Sequence, residues 1–336
     1  MPIDIDLLSK LPNAIPEDLR SRISIFDNQV NLLIQEFITD LESQGAPPAL
    51  FHYTNERGLC GIIQSGQLWC SDIFRQNDEN ELRHGIKVAL DALRGRAATE
   101  KHTFSGFAHD LVGLNDVHPL ERVAHYYICS LTGQDDNQYQ WEKYGDNSEG
   151  FALGFDAPKL EVAFTRNNGE PIVSNSTFPI TYGVAEVIRL HETILDWLGP
   201  ILGPPQTRIL ANSSLDAYKE QVALSYSLAV AHLMIFFKTE KWRRESEYRF
   251  LQLFAVTNKP EVRTHPGPTG TGPIEHRQFD WRAIDPSCLS RIIIGPRADR
   301  ERSEALARSL LQQYHPNPEN VEVVHSSLRG RVVQPM

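Results

Sequence analysis

The sequence predicts a mixed α+β fold, and three observations lead there. Short strand-like runs alternate irregularly with helical ones, a long helix with a single apolar face opens the chain, and a late helix is apolar on nearly every side. The irregular interleaving argues against a doubly wound parallel sheet. Neither GxGxxG nor GxxxxGK[ST] occurs, so no Rossmann or P-loop site is expected. At 336 residues the chain nears the length at which single cores divide. It reads as a helical extension over residues 1–46 and one catalytic-type α+β domain over 47–336.

The elements follow in order. Pro16-Glu17-Asp18 opens the first helix, with proline in the first turn and two acids at the positive end of the dipole. Leu19, Ile23, Phe26, Val30, Leu33, Phe37 and Leu41 recur at steps of three or four and form one face, and Gly45, Pro47 and Pro48 end it. Such a helix either packs on the main domain or pairs with a second copy, which makes a homo-oligomer one expectation. Residues 50–53 are a short strand, and Asn55 caps a helix that Ser65-Gly66 stops. Residues 67–71 are a strand, and Asn77-Asp78 marks a turn before a helix over 79–93.

After a polar stretch come a strand at 124–131, a short aromatic helix at 139–144 and a strand at 150–155. Residues 177–198 read as strand then helix, 199–205 as a proline-rich loop, 214–237 as a buried helix and 247–254 as a strand. Residues 257–278, rich in Pro, Gly and Thr, read as a mobile loop. A strand at 292–294, a helix at 299–313 and a strand at 321–324 complete the chain, with no internal repeat. Gly295-Pro296 between strand and helix reads as a turn, with anion binding by its amides as the alternative.

Composition narrows the function. A net charge of −10 argues against nucleic-acid binding by a basic surface, although Arg243, Arg244 and Arg249 offer a local basic groove. Four cysteines lie scattered, without a CxxC pair or metal-ligand spacing, which predicts no metal site and a reducing compartment. The N-terminus lacks the basic start and apolar core of an export signal, and no stretch approaches the roughly 20 apolar residues that span a bilayer. The expectation is a cytoplasmic protein with no membrane association.

Four clusters carry chemistry-bearing side chains. They are His52-Tyr53-Thr54; Trp69-Cys70-Ser71 with Asn77-Asp78-Glu79-Asn80-Glu81; Gln138, Trp141 and Tyr144; and Lys238, Trp242, Glu245, Glu247, Tyr248 and Arg249. Each also has a plain structural explanation. A histidine in a short apolar strand is ordinarily hydrogen-bonded framework, Trp141 and Tyr144 three apart are ordinarily core, and Asn77-Asp78 is ordinarily a helix-capping turn. Glu245, Glu247 and Arg249 alternate and so share one strand face, where solvated Glu–Arg pairing adds little stability.

The order of these clusters resembles a known family. A His-Tyr-Thr strand, an Ile-x-x-Gly helix end, a Leu-Trp-x-Ser strand, an Asn-Asp-x-x-Glu turn, a Trp-x-x-Tyr helix and a final Trp-x-x-Glu-x-Glu-Tyr-Arg follow one another over residues 50–294. That succession resembles the bacterial family called domain of unknown function 2971, itself similar to the ADP-ribosyltransferases. The second resemblance implies a three-part site: a His or Arg on the first strand that holds a ribose of NAD, a Tyr or Ser-Thr-Ser on a middle strand at the nicotinamide, and a late Glu. His52 matches the first part and Glu245-Ser246-Glu247 the last, whereas Trp69-Cys70-Ser71 keeps only Ser71 of the middle pattern.

The implied activity is NAD-dependent ADP-ribosyl transfer, with NAD as substrate and an unidentified macromolecular acceptor, in the setting of a bacterial toxin or phage-defence effector. Breaking the nicotinamide–ribose bond develops positive charge on the sugar, which a carboxylate stabilises. Glu247 is assigned that role and Glu245 the orientation or deprotonation of the acceptor. His52, with Tyr53 and Thr54, Ser71 and Asn77, would line the cofactor site, and Trp69 or Tyr144 would stack on the nicotinamide. The alternatives are an NAD glycohydrolase on the same scaffold and a non-catalytic sensor paired through the first helix. A Cys-His hydrolase is disfavoured, since Cys129 sits in an apolar strand.

Overall fold

A computed structural model describes residues 15–75, 79–111, 124–166, 174–202, 212–255, 259–266 and 272–329. The opening helix α1 (Glu17–Ser43) runs out just before Gly45, whose φ is 69°. Its buried side chains are Leu19, Ile23, Phe26, Val30, Ile34, Phe37 and Leu41. Ile34 takes the place expected for Leu33, which is only partly buried, because the 3.6-residue turn carries the face from Val30 to Ile34.

β1 (Ala49–Thr54) leads into α2 (Glu56–Ser65), where Asn55 Oδ1 accepts from the Gly58 amide at 2.8 Å. β2 (Gln67–Asp72) follows, and Asn77-Asp78 lies outside the described residues. The next helix, α3 (Glu79–Thr99), runs past residue 93, and the polar stretch beyond it forms α4 (Lys101–Asp110) around the buried Phe104. β3 (Ala124–Thr132), α5 (Gln138–Lys143) and β4 (Phe151–Asp156) come next, then α6 (Ala157–Thr165), capped by Asp156. β5 (Ser174–Pro179), β6 (Thr181–Tyr182), α7 (Ala185–Leu198), α8 (Asn212–Met234), β7 (Phe237–Lys238) and β8 (Glu247–Ala255) follow. Within the expected proline-rich loop, Gly199–Ile201 is a 3-10 turn, and residues 203–205 lie outside the described ones.

The expected mobile loop at 257–278 is corrected. β9 (Arg263–Pro266) and β10 (Pro273–Asp280) pair antiparallel, and β10 also pairs with β2. Proline stands at the ends of these strands rather than inside them, so composition mistook punctuation for a loop. Residues 257–258 and 267–271 lie outside the described ones. β11 (Leu289–Ile294), α9 (Arg300–Tyr314) and β12 (Glu322–His325) close the fold.

The main sheet runs β12-β11-β4-β1-β3-β2-β10-β9, with β8 on the other edge of β3 and β5 outside β8. β3 is the hinge of this arrangement. One edge pairs with β8 from Ala124↔Ala255 to Thr132↔Glu247. The other edge is shared: β1 pairs at Phe51↔Thr132, and β2 pairs at Ser71↔Ile128 and Asp72↔Tyr127. Continued inward, both registers would set a residue opposite Ser130, Tyr53 from β1 and Trp69 from β2. One edge cannot hold two strands, so β1 and β2 splay apart there and leave a notch.

Two large cores cover the sheet, with a smaller cluster of Phe51, Tyr53, Trp141, Ala152 and Ile293 beside them. On one side α1, α3, α7 and α8 bury Phe26, Tyr126, Ile128, Leu251 and Phe236. On the other, α2, α6 and α9 cover Tyr127, Phe155, Phe250 and Trp281. The apolar face of α1 is therefore covered within the chain, in the same core as the strands it precedes. Cys70, Cys129 and Cys288 are buried thiols, and burial pushes Cys129 up to about 12. Among the described residues no helix is long and apolar enough to cross a membrane.

Candidate active site

The Glu245-Ser246-Glu247 segment departs from the alternating strand expected of it. Glu245 ends a 3-10 turn, Glu240–Glu245, and Ser246 takes a left-handed conformation (φ 43°, ψ 48°) before β8 begins. That non-glycine kink is a strained state of the kind found at functional sites. It brings both carboxylates to one ammonium, with Lys238 Nζ 2.7 Å from Glu245 Oε2 and 2.7 Å from Glu247 Oε2. The expected solvated face is a buried one instead, with Glu247 only 4% and Arg249 only 2% exposed.

Glu247 Oε1 accepts from Ser130 Oγ at 2.5 Å and from Arg249 Nε at 2.8 Å, and Arg249 also donates to the Ile235 carbonyl at 2.6 Å. The Lys238–Glu247 contact is an ion pair by distance, without hydrogen-bond geometry at Oε2. Burial alone would raise the Glu247 carboxyl, but the charges of Arg249 and Lys238 outweigh it and hold the group well below the usual carboxylate range. Glu245 Oε1 accepts from Tyr144 Oη at 2.5 Å and from Lys143 Nζ at 3.1 Å, and Gln140 Nε2 donates to the Glu245 carbonyl at 2.7 Å. Burial and the Glu245 charge push the Tyr144 phenol up, so it stays a donor.

Gln140, Tyr144, Lys238, Glu245 and Glu247 line a partly open cleft of about 160 Å³ at the notch, together with Phe51, His52 and Tyr53 of β1 and Ser130, Leu131 and Thr132 of β3. An enclosed cavity of roughly 150 Å³ holds a benzene-sized ring, so this open cleft has room for at least one ring or sugar of a ligand. Burial lowers the pKa of His52, opposed by a hydrogen bond to the Ser130 backbone, and the imidazole is neutral near pH 7. Residue 130 thus links the two sides of the site, its backbone engaged by His52 and its hydroxyl by Glu247.

The remaining expected residues are distributed unevenly. Tyr53 lines the cleft, but its hydroxyl donates to the Gln134 carbonyl at 2.9 Å and accepts from the Asn137 amide at 3.2 Å, so the phenol is framework. Tyr144 lines the cleft and is 43% exposed. Thr54, Trp69 and Ser71 are not among the lining residues, and Asn77 lies outside the described ones. Trp141 is core, its Nε1 donating to Asp136 Oδ1 at 2.7 Å. Arg243 pairs with Glu240 at the surface while Arg249 is buried, so the expected basic groove does not form. The Gly295 and Arg297 amides donate to the Gly150 and Ser148 carbonyls, each at 2.9 Å, and are spent on the turn rather than on an anion.

Sequence reasoning missed Ser130, Thr132, Gln140 and Lys143. Ser130 and Thr132 carried one readable sign: two hydroxyls at alternate positions interrupting an apolar strand. Among the described residues no group of three or more His, Cys, Asp or Glu side chains is placed to hold a metal ion.

Residues 140–250 match the model of the family described as protein of unknown function (DUF2971), which supports that family for this chain. The matched segment carries Gln140, Tyr144, Lys238, Glu245, Glu247 and Arg249. No curated protein and no solved structure matches the chain.

Proposed function

We propose that the notch is the donor site of an NAD-consuming enzyme of the ADP-ribosyltransferase type, acting on an acceptor yet to be identified. The observation that carries this reading is the Ser130–Glu247 pair: a strand hydroxyl 2.5 Å from a buried, ionised carboxylate, in a cleft that His52 also lines. The resemblance asks for a hydroxyl-bearing middle strand between a first-strand histidine and a late glutamate, and Ser130 with Thr132 supplies it in place of Ser71.

The chemistry follows from the charges. As the bond from the ribose to nicotinamide breaks, nicotinamide leaves with the electron pair and the sugar becomes cationic. Glu247, held ionised, stabilises that charge. The acceptor then bonds to the sugar carbon and loses a proton, which Glu245 can take through its cleft-facing partners. Neutral His52 donates to or accepts from a ribose hydroxyl. Lys238 ties the two carboxylates together, so an entering sugar must shift its ammonium from Glu247 Oε2 for that oxygen to act. The toxin or phage-defence setting belongs to this proposal and stands or falls with the acceptor.

Purified protein is expected to consume NAD, and Glu247→Gln to slow consumption by roughly 10²–10³-fold, the usual cost of removing a transition-state electrostatic partner. Arg249 loses its counter-charge in that variant, so its fold is checked by circular dichroism alongside. Full activity in a folded Glu247→Gln protein would remove Glu247 from the mechanism. Labelled macromolecule among the products identifies transfer, and free ADP-ribose alone identifies hydrolysis.

A further inference from the structure

The far side of the notch carries an aromatic group with no task in the cleft. Trp69 is 46% exposed, yet its indole is held flat. It stacks on His276 with ring centroids 4.0 Å apart and planes 24° apart, and His265 stands 5.2 Å away. The two imidazoles brace each other, Nδ1 to Nδ1 at 3.1 Å, and His276 is buried. Among the described residues, Trp69 and Tyr144 are the aromatic side chains left substantially in water, and Tyr144 is tied to Glu245. An exposed ring fixed from behind by other rings offers a ready face for stacking.

Position says what stacks there. The β2 register, continued, sets Trp69 level with Ser130, across the notch from β1. Trp69 and Ser71 lie on the face of Ile128, and by alternation along β3 Ser130 shares that face. The cleft engages one end of a dinucleotide, so the other end must rest outside it. On the other side of His276, away from the cleft, the β9–β10 ladder sets the exposed Arg263, so the open approach to the indole is from the cleft side.

We propose that Trp69, backed by His276, is the stacking platform for the purine ring of a nucleotide whose other end enters the cleft. The inference rests on the NAD reading and deepens it, and the two are separated by probing each half of the dinucleotide. Calorimetric titration of AMP and of nicotinamide mononucleotide is run on wild type, Trp69→Ala and Trp69→Phe. Circular dichroism checks that both variants fold.

AMP is expected to bind the wild type, Trp69→Ala to weaken it by roughly tenfold or more, and Trp69→Phe to restore most of the affinity. Nicotinamide mononucleotide should bind all three alike. Equal AMP affinity in wild type and Trp69→Ala overturns the platform, as does a wild type that binds no AMP. AMP binding that depends on Trp69, with no binding of nicotinamide mononucleotide, upholds the platform and sinks the NAD reading.

Discussion

At the scale of single residues, charge burial decides most of what happens here. Glu245, Glu247, Lys238 and Arg249 are each costly to desolvate, and they persist because every charge has a partner at hydrogen-bond distance. Breaking one pair strands the others, so buried pairs of this kind are weak evidence for stability and better evidence for a site. Asp27 presents the opposite case. Burial on α1 raises its pKa to about 6, so the fold favours the protonated form. Its contribution is fully present below the unfolded carboxylate pKa and is lost as pH rises through about 6. Asp27→Asn is therefore predicted to stabilise the protein at pH 7.5 by roughly 1–3 kcal/mol and to leave it unchanged below about pH 4. Thermal melts at both pH values check this, and an equal gap at the two would contradict it.

At the scale of elements, legibility followed locality. The α1 face could be read because helix periodicity is local, and the Asn55 cap because one side chain makes it. α4 was missed because its mainly polar sequence buries little beyond Phe104, and the β9–β10 pair because Pro and Gly at strand ends resemble a loop in composition. Glu245 was misplaced because a left-handed serine leaves no mark in sequence. The boundary drawn after residue 46 has an energetic consequence. The seven buried apolar side chains of α1 are each worth about 1.5–3 kcal/mol, a sum comparable to the whole stability of a domain. Removing residues 1–46 is predicted to abolish cooperative unfolding and give insoluble protein. A truncated chain that stays soluble and melts cooperatively would show that α1 is dispensable to the core.

At the scale of the whole molecule, the cleft is a product of strand pairing that no sequence window contains. His52, Ser130, Lys238 and Glu247 come from four strands, and they meet because β1 and β2 compete for one edge of β3 while β8 holds the other. The sequence named His52, Glu245 and Glu247 one by one, and the sheet supplied the middle strand between them. It also moved the expected aromatic partner, leaving Trp69 across the notch and Tyr144 inside it.

Calorimetric titration of NAD into wild type and His52→Ala tests the proposed NAD site in the notch. Saturating heat is expected for the wild type, and an affinity at least roughly tenfold weaker for the variant, the worth of about 1.4 kcal/mol of lost contact. A folded wild type that takes up no NAD would exclude the donor site, and a His52→Ala protein that binds it equally well would remove His52 from it.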